Sequence, residues 1–372
     1  MSDRRVWVQD SPLGIIIYHD HVDDSRLTTT AAGVLQHFHR AWALRFGESL
    51  TLAERSEDFT GLRHHPTEHG TIAVSCEGVI KRLEALIAPW PLPPHVTCDS
   101  PMSESALRSL RACPSDADPL DLAHLVPMRS ILGCVGFIVV TVRCDAYFAF
   151  CVLSRYVNER RLTKLVGRFV LRLAHYLVAT IHLHLHLAPP ERVRRGDGTY
   201  GLDLFQCFTD SSHGNAEDGL GYAGIVIMTR GGGGALGWKV MLPPNGFDST
   251  AAAELHATTV ALKYTVAIRT LQSELDLDVG PTEPTPIYTD AQAVTDGSSM
   301  ERMTRATRWL AAKYAMIRWG IACRAIALGQ VSSEDQIADI VTKALVGARF
   351  FLLRARVLGL RTGMAGTGVD GR

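Results

Sequence analysis

The sequence predicts an α/β protein in which a strand-rich C-terminal half follows a mostly helical region. Three observations carry this. Residues Met128 to Val157 are apolar nearly all round, as in a helix pair buried against neighbours. After the turn-forming stretch PPERVRRGDGTYG the period changes, and LFQCFT, YAGIVIMT and ALGWKVML read as strands leading into a long helix. Finally, the short apolar run PIYT ends on an aspartate and turns directly into a helix.

Composition is permissive. The 372 residues suggest two or three domains at ~150 residues each, and 47% hydrophobic content is ample for their cores. Lys+Arg 38 against Asp+Glu 38 removes any global electrostatic case for a nucleic-acid partner, so local patches must carry one. Cys 8, with no CxxC pair, indicates neither a zinc module nor a disulfide framework and fits a reducing compartment. No membrane partner is expected. The most apolar stretch, Ile131 to Val142, is far shorter than the ~20 residues of a span and is closed by Arg143 and Asp145, and MSDRRVWVQD does not open a signal peptide.

Along the chain, the proline cluster APWPLPPHVTCDSP at 88 to 101 cannot continue a helix or sit in a central strand, so it reads as a linker. The glycines at 231 to 234 join two strands as a hairpin turn. Asp248, Ser249 and Thr250 offer N-caps for the long helix, whose buried face is Leu255, Thr259, Leu262 and Val266; Glu254 then falls in its first turn. In SSEDQIADIVTKAL, Ser332 or Ser333 can cap a helix with Ile337, Ile340, Val341 and Leu345 as its stripe and Asp339 near its start. The tail TGMAGTGVDGR has no means of packing and reads as disordered.

Four acids stand in the order Asp210, Glu254, Asp290, Asp339. Asp210 and Asp290 close apolar runs, which places both at strand ends on neighbouring strands, and the other two lie on helices facing the same crevice. Converging carboxylates repel and are costly when dry, so hard divalent cations, usually Mg²⁺, are their natural occupants. Each acid alone is more often a cap or a dipole partner; the four in order favour a metal site. Asp335 is a nearby substitute for Asp339.

The phrases YTDAQAV and EDQIADIVTK resemble those closing the ribonuclease H domain of copia-type retrotransposon polyproteins, and MRSILGCVGFIVVTVRCDAYFAFCVLSRYV with LRLAHYLVATIHLHLHL resembles the segment before it. GIIIYHDHVDDSRL and FGESLTLAERSEDFTGLRHHP are similar to the end of the family's reverse-transcriptase palm and the region after it. The resemblance implies a ribonuclease H-like mixed five-stranded sheet flanked by helices at about residues 203 to 346, preceded by a mostly helical remnant. That remnant divides into a palm end and thumb-like part at 1 to 88, a Pro-rich linker at 89 to 127 and a helical connection at 128 to 200; a disordered tail occupies 362 to 372. The implied activity is hydrolysis of the RNA strand of RNA–DNA hybrids with two Mg²⁺ ions, or Mn²⁺ in their place. Residues matching Asp210, Glu254, Asp290 and Asp339 are then the ligands, and Asp210 bridges the ions. Integrase and transposase domains carry their glutamate last, whereas here it is second. Other Pol or Gag products are implied partners, and the cytoplasm, virus-like particles or the nucleus the implied compartment.

Some features depart from the family or lie outside it. Few residues precede Tyr18, and its paired aspartates appear as YHDH with Asp23 and Asp24 displaced, so no polymerase activity is expected. A histidine is absent from LGQVSS, and ATRWLA replaces a lysine-histidine phrase. His182, His184 and His186 share a face of any strand, but the strand position favours a structural reading. Arg302, Arg305, Arg308 and Lys313 recur at helical spacing with aromatic residues between them, as a phosphate-contacting ridge or a solvated face. The competing function is a catalytically inactive, decayed fragment serving as a nucleic-acid-binding or scaffold module; a weaker one is a nuclease for structured RNA or single-stranded DNA.

Overall fold

The computed structural model describes residues 6 to 360 apart from 12–13, 22–23, 30–31, 48–57, 69, 93–97, 114–121, 159–161, 190, 195–199, 204, 213–220, 243–246, 275–282 and 301–307. The predicted tail lies outside the described residues. Among these residues the N-terminal part opens with a three-stranded antiparallel sheet, β1 (Val6–Ser11), β2 (Gly14–His21) and β3 (Asp24–Thr29), followed by α1 (Ala32–Phe46). A second sheet contains β4 (Asp58–Phe59), β5 (Leu62–Pro66), β6 (Ile72–Ser75) and, from far along the chain, β7 (Leu185–Leu187). Among the described residues, five α-helices come between β6 and β7: α2 (Glu77–Ile87), α3 (Glu104–Arg111), α4 (Leu122–Thr141), α5 (Tyr147–Asn158) and α6 (Lys164–Ala179).

Two expectations change here. The stretch 89 to 127 is more than a linker, because Ser103 caps α3 by accepting from the Ala106 N–H, and Leu107 and Leu110 are buried in the main core. The region before the connection is also richer in strands than expected. Its second sheet is completed only when β7 pairs with β6, Ala73 opposite His186, a contact between segments too distant for local periodicity to show.

A hairpin of β8 (Glu191–Arg194) and β9 (Tyr200–Asp203) leads into the C-terminal sheet. It contains β10 (Phe205–Ser212), β11 (Tyr222–Thr229), β12 (Ala235–Met241), β13 (Thr285–Thr289) and β14 (Ile326–Gln330) in the order β12-β11-β10-β13-β14. The first three pair antiparallel, whereas β10, β13 and β14 are parallel. This is the mixed five-stranded sheet flanked by helices that the resemblance implies. The glycine run does link β11 to β12, with Gly231 and Gly232 at positive φ that only glycine adopts without strain. Helix α7 (Thr250–Glu274) starts at the predicted cap, Ser249 Oγ accepting from the Ala252 N–H at 3.1 Å. Then come α8 (Gln292–Ser299), α9 (Ala311–Ala322), a single turn α10 (Asp339–Thr342) and α11 (Gly347–Leu358).

Helices cover both faces of the sheet. Phe205, Cys207, Ile225 and Ile227 pack with Leu255 and Leu262 of α7 and Tyr314 and Ile317 of α9. The opposite face gives Phe208, Val226 and Met228 to a larger core shared with α2 to α6, α10 and α11. Because α11 contributes Phe350, Leu353 and Val357 to that core, the packing continues past residue 346. At its centre the Arg143 guanidinium grips Asp145 through both carboxylate oxygens, at 2.9 and 2.8 Å, and reaches Thr180 O at 3.0 Å. Tyr176 donates to Asp145 Oδ2. Burial raises the cost of both charges, but each holds the other ionised: the Arg143 pKa is raised and that of Asp145 lowered. Removing one partner strands the other dry, so Asp145→Ala should cost about 3–5 kcal/mol in denaturant unfolding; a loss below about 1 kcal/mol would contradict this account of the core.

Candidate metal centre

Strand register creates the site. Thr209 of β10 pairs in parallel with Thr289 of β13, so the next residues, Asp210 and Asp290, stand side by side. Asp210 lies within its strand, which runs to Ser212 rather than ending near Thr209. Alternation sends Cys207 and Thr209 toward α7, where they meet Thr265 and Thr258, and turns Asp210 to the face of α10. Opposite Asp210 on β11 is Gly224, where a Cβ would come within 2.9 Å of Val341 Cγ2; only glycine lets α10 approach this closely.

Three carboxylates converge. Asp210, Glu254 and Asp290 each offer an oxygen within 4.8 Å of the others, and they form the one group of three or more potential ligands among the described residues. Asp210 is 2% and Glu254 6% exposed. Glu254 Oε1 accepts from the Ser211 N–H at 3.0 Å and its hydroxyl at 2.8 Å, while Oε2 is buried with no hydrogen-bond partner. Asp290 is held by Gln336 Nε2 at 3.4 Å and Ser333 Oγ at 3.2 Å. Gln336, fully buried, also donates to Thr209 O at 2.9 Å, locking the chain after β14 to the central strand.

The electrostatics are unfavourable without a cation. Burial, then the charge of Asp210, pushes Glu254 up to about 8. Burial likewise raises Asp210 to about 7, with Asp339 and Asp290 adding to the rise against Lys343 and the Thr342 hydroxyl. Among the described residues neither Glu254 nor Asp290 has an ion-pair partner, so the donor set and the orphaned Oε2 fit a hard divalent cation.

Asp339 is placed differently. The helix expected to begin at Ser332 or Ser333 is only the turn α10: Ser332 caps a preceding turn at the Asp335 N–H, and Lys343 is already extended. Asp339 is 7% exposed and lies outside the three-carboxylate group. Its Oδ1 meets Lys343 Nζ at 2.6 Å and its Oδ2 meets Arg349 at 3.2 Å. Lys343 also reaches Asp210 Oδ1 at 3.4 Å and so stands between the two acids. Asp335 is 65% exposed at its side chain and pairs with Arg356.

Of the basic residues, Arg302 and Arg305 lie outside the described residues. Arg308 sits in a 3₁₀ turn before α9, and Lys313 Nζ is 3.5 Å from His256 Nδ1, two residues after Glu254 on α7. Trp309 and Trp319 are each 54% exposed, whereas Tyr314 is buried. His184 Nε2 lies 3.3 Å from Glu77, and the described histidines form no cluster of three ligands. Sequence reasoning missed Ser211, Gln336, Lys343 and Arg349. The i,i+4 spacing of Asp339 and Lys343 was the one available signal.

No family model matches the chain. A Retrovirus-related Pol polyprotein from transposon TNT 1-94 of Nicotiana tabacum is 23% identical over 259 residues, 69% of this chain. The chain spans only 18% of that relative's length. Among solved structures, LC11-RNase H1 in complex with an RNA/DNA hybrid aligns over 37% of this chain and 93% of its own, at 19% identity and TM-score 0.28. A foamy viral protease-reverse transcriptase dRH in complex with double-stranded DNA aligns over 85% of this chain and 46% of its own, at 14% identity and TM-score 0.45.

The raised carboxyls give a pH signature. A carboxyl with a raised folded pKa favours the protonated native state, so the metal-free protein loses stability as pH rises from the ordinary carboxylate range up to about 7 to 8. Cation binding must displace those protons and strengthens over the same window. The gain in Tm from Mg²⁺ over EDTA should therefore be several degrees larger at pH 8 than at pH 6; an equal gain at both would contradict the site.

Proposed function

We propose, the chain being a relative of the copia-type retrotransposon Pol polyproteins, that its unit at about residues 203 to 346 is a ribonuclease H-type endonuclease cutting the RNA strand of RNA–DNA hybrids. The observation that carries the reading is the buried cluster of Asp210, Glu254 and Asp290 with its unpaired Glu254 Oε2. Mg²⁺, or Mn²⁺ in its place, bound there would neutralise charge on the scissile phosphate and stabilise the departing oxygen.

The chain's own groups prepare that cluster. Ser211 fixes one oxygen of Glu254 and leaves the other for the cation. Thr342 donates to Asp210 Oδ2, and Gln336 and Ser333 orient Asp290. Such outer partners set ligand direction and basicity. The resemblance implies a second ion on Asp339, where the Lys343 ammonium stands. Arg308 and Lys313, with Arg302 and Arg305, are the proposed phosphate contacts; the position of Lys313 beside His256, on the helix that carries Glu254, supports this for Lys313. Contacts to 2′-hydroxyls would distinguish RNA. Other Pol or Gag products are proposed as further partners.

The test is cleavage of a labelled RNA–DNA hybrid with Mg²⁺, set against duplex RNA, duplex DNA and Asp210→Asn. Cutting should be confined to the RNA of the hybrid and fall in the variant by more than about 100-fold, the upper range for losing an outer-shell partner. A folded chain that binds the hybrid without cutting would support the non-catalytic module.

A further inference from the structure

Lys343 divides the four acids. Its ammonium lies 2.6 Å from Asp339 Oδ1 and 3.4 Å from Asp210 Oδ1, distances at which it neutralises both. The other oxygen of Asp339 is taken by Arg349 at 3.2 Å, and that of Asp210 by the Thr342 hydroxyl. Each oxygen of Asp339 thus meets one basic side chain. Asp210 shares one oxygen with the lysine and turns the same carboxylate toward Glu254 and Asp290.

The lysine side chain is 36% exposed, and its own turn holds it in place. Its backbone N–H donates to Asp339 O at 2.9 Å, closing the single turn of α10, and the side chain returns over that turn to the acid four residues back. Just before it, Val341 and Thr342 are fully buried. Gly224 on β11 lets this turn sit directly over Asp210. The fold itself therefore sets an ammonium between the first and fourth acids.

A divalent ion bridging those acids would need oxygens at about 2.0–2.1 Å for Mg²⁺. The oxygens that face each other across the gap already coordinate the ammonium, and two cations at one pair of carboxylates repel. We propose that Lys343 is a built-in occupant of the second cation position. From solution the site takes one divalent ion, on Asp210, Glu254 and Asp290, while the lysine supplies the second positive charge beside Asp210. Lys343 is in this sense a positioning residue that acts through Asp210 and Asp339. The inference rests on the reading of the three acids as a cation site, and departs from the two ions the resemblance implies.

Binding stoichiometry tests it without reference to turnover. The full chain, freed of metal, is titrated with Mn²⁺ and the unbound ion counted by electron paramagnetic resonance. The wild type should bind one Mn²⁺ and Asp210→Asn none. Lys343→Met, which keeps the alkyl stem and removes the charge, should bind two, the second at least about tenfold tighter than any second ion in the wild type. Lys343→Met combined with Asp339→Asn should return to one. Lys343→Arg retains the charge and should stay at one, which keeps the test open if the methionine variant fails to fold. Two ions in the wild type or in Lys343→Arg, or one in a folded Lys343→Met, would overturn the inference while leaving the three-acid site standing. No binding by the wild type would overturn both.

Discussion

A carboxylate buried inside the central strand of a sheet governs what can surround it. Asp210 is 2% exposed, and register sets Asp290 beside it while α7 brings Glu254 from the opposite face. Burial first, and the neighbouring carboxylates after it, make ionisation costly here, so Asp210 and Glu254 are pushed up to about 7 and about 8. The chain supplies compensation unevenly. Asp339 has two basic partners, Asp210 shares one of them, and Glu254 is left with an oxygen that nothing satisfies. This uneven balance is the ground on which the three acids are proposed as a cation site.

The scaffold that tolerates this strain is broader than the sheet. One face packs on α7 and α9, the other on helices from the preceding region, so the two parts of the chain share a core. Trp238 on β12 donates to Val139 O in α4 at 2.9 Å, and Gly234 donates to His186 O at 2.7 Å. The buried Arg143–Asp145 pair lies on the same side, and the small turn carrying Asp339 and Lys343 is clamped between that core and the strands. Rigid support on both sides keeps the acids close despite their repulsion.

How much of this was legible depended on how local its cause is. Ser249 and the apolar face behind it announced α7, and PIYT announced the strand before Asp290, because caps and periodicity act within a few residues. The order of the acids and the phrases around them carried the sheet. Non-local causes left no such trace. Helix α10 stops after one turn although KAL has no breaker, because buried Gln336 ties the chain to Thr209 O and two carboxylates hold Lys343. Helix α3 hid behind prolines, although Ser103 and its leucines encode it. Strand β7 pairs with β6 across more than a hundred residues, beyond the reach of any window.

The central claim is that Asp210, Glu254 and Asp290 together hold a divalent cation. Anomalous diffraction at the manganese edge from Mn²⁺-soaked crystals tests it most directly. The account predicts a peak bounded by those three carboxylates, within reach of Glu254 Oε2. Soaked crystals with no peak there, or with Mn²⁺ bound only to other groups, would contradict it.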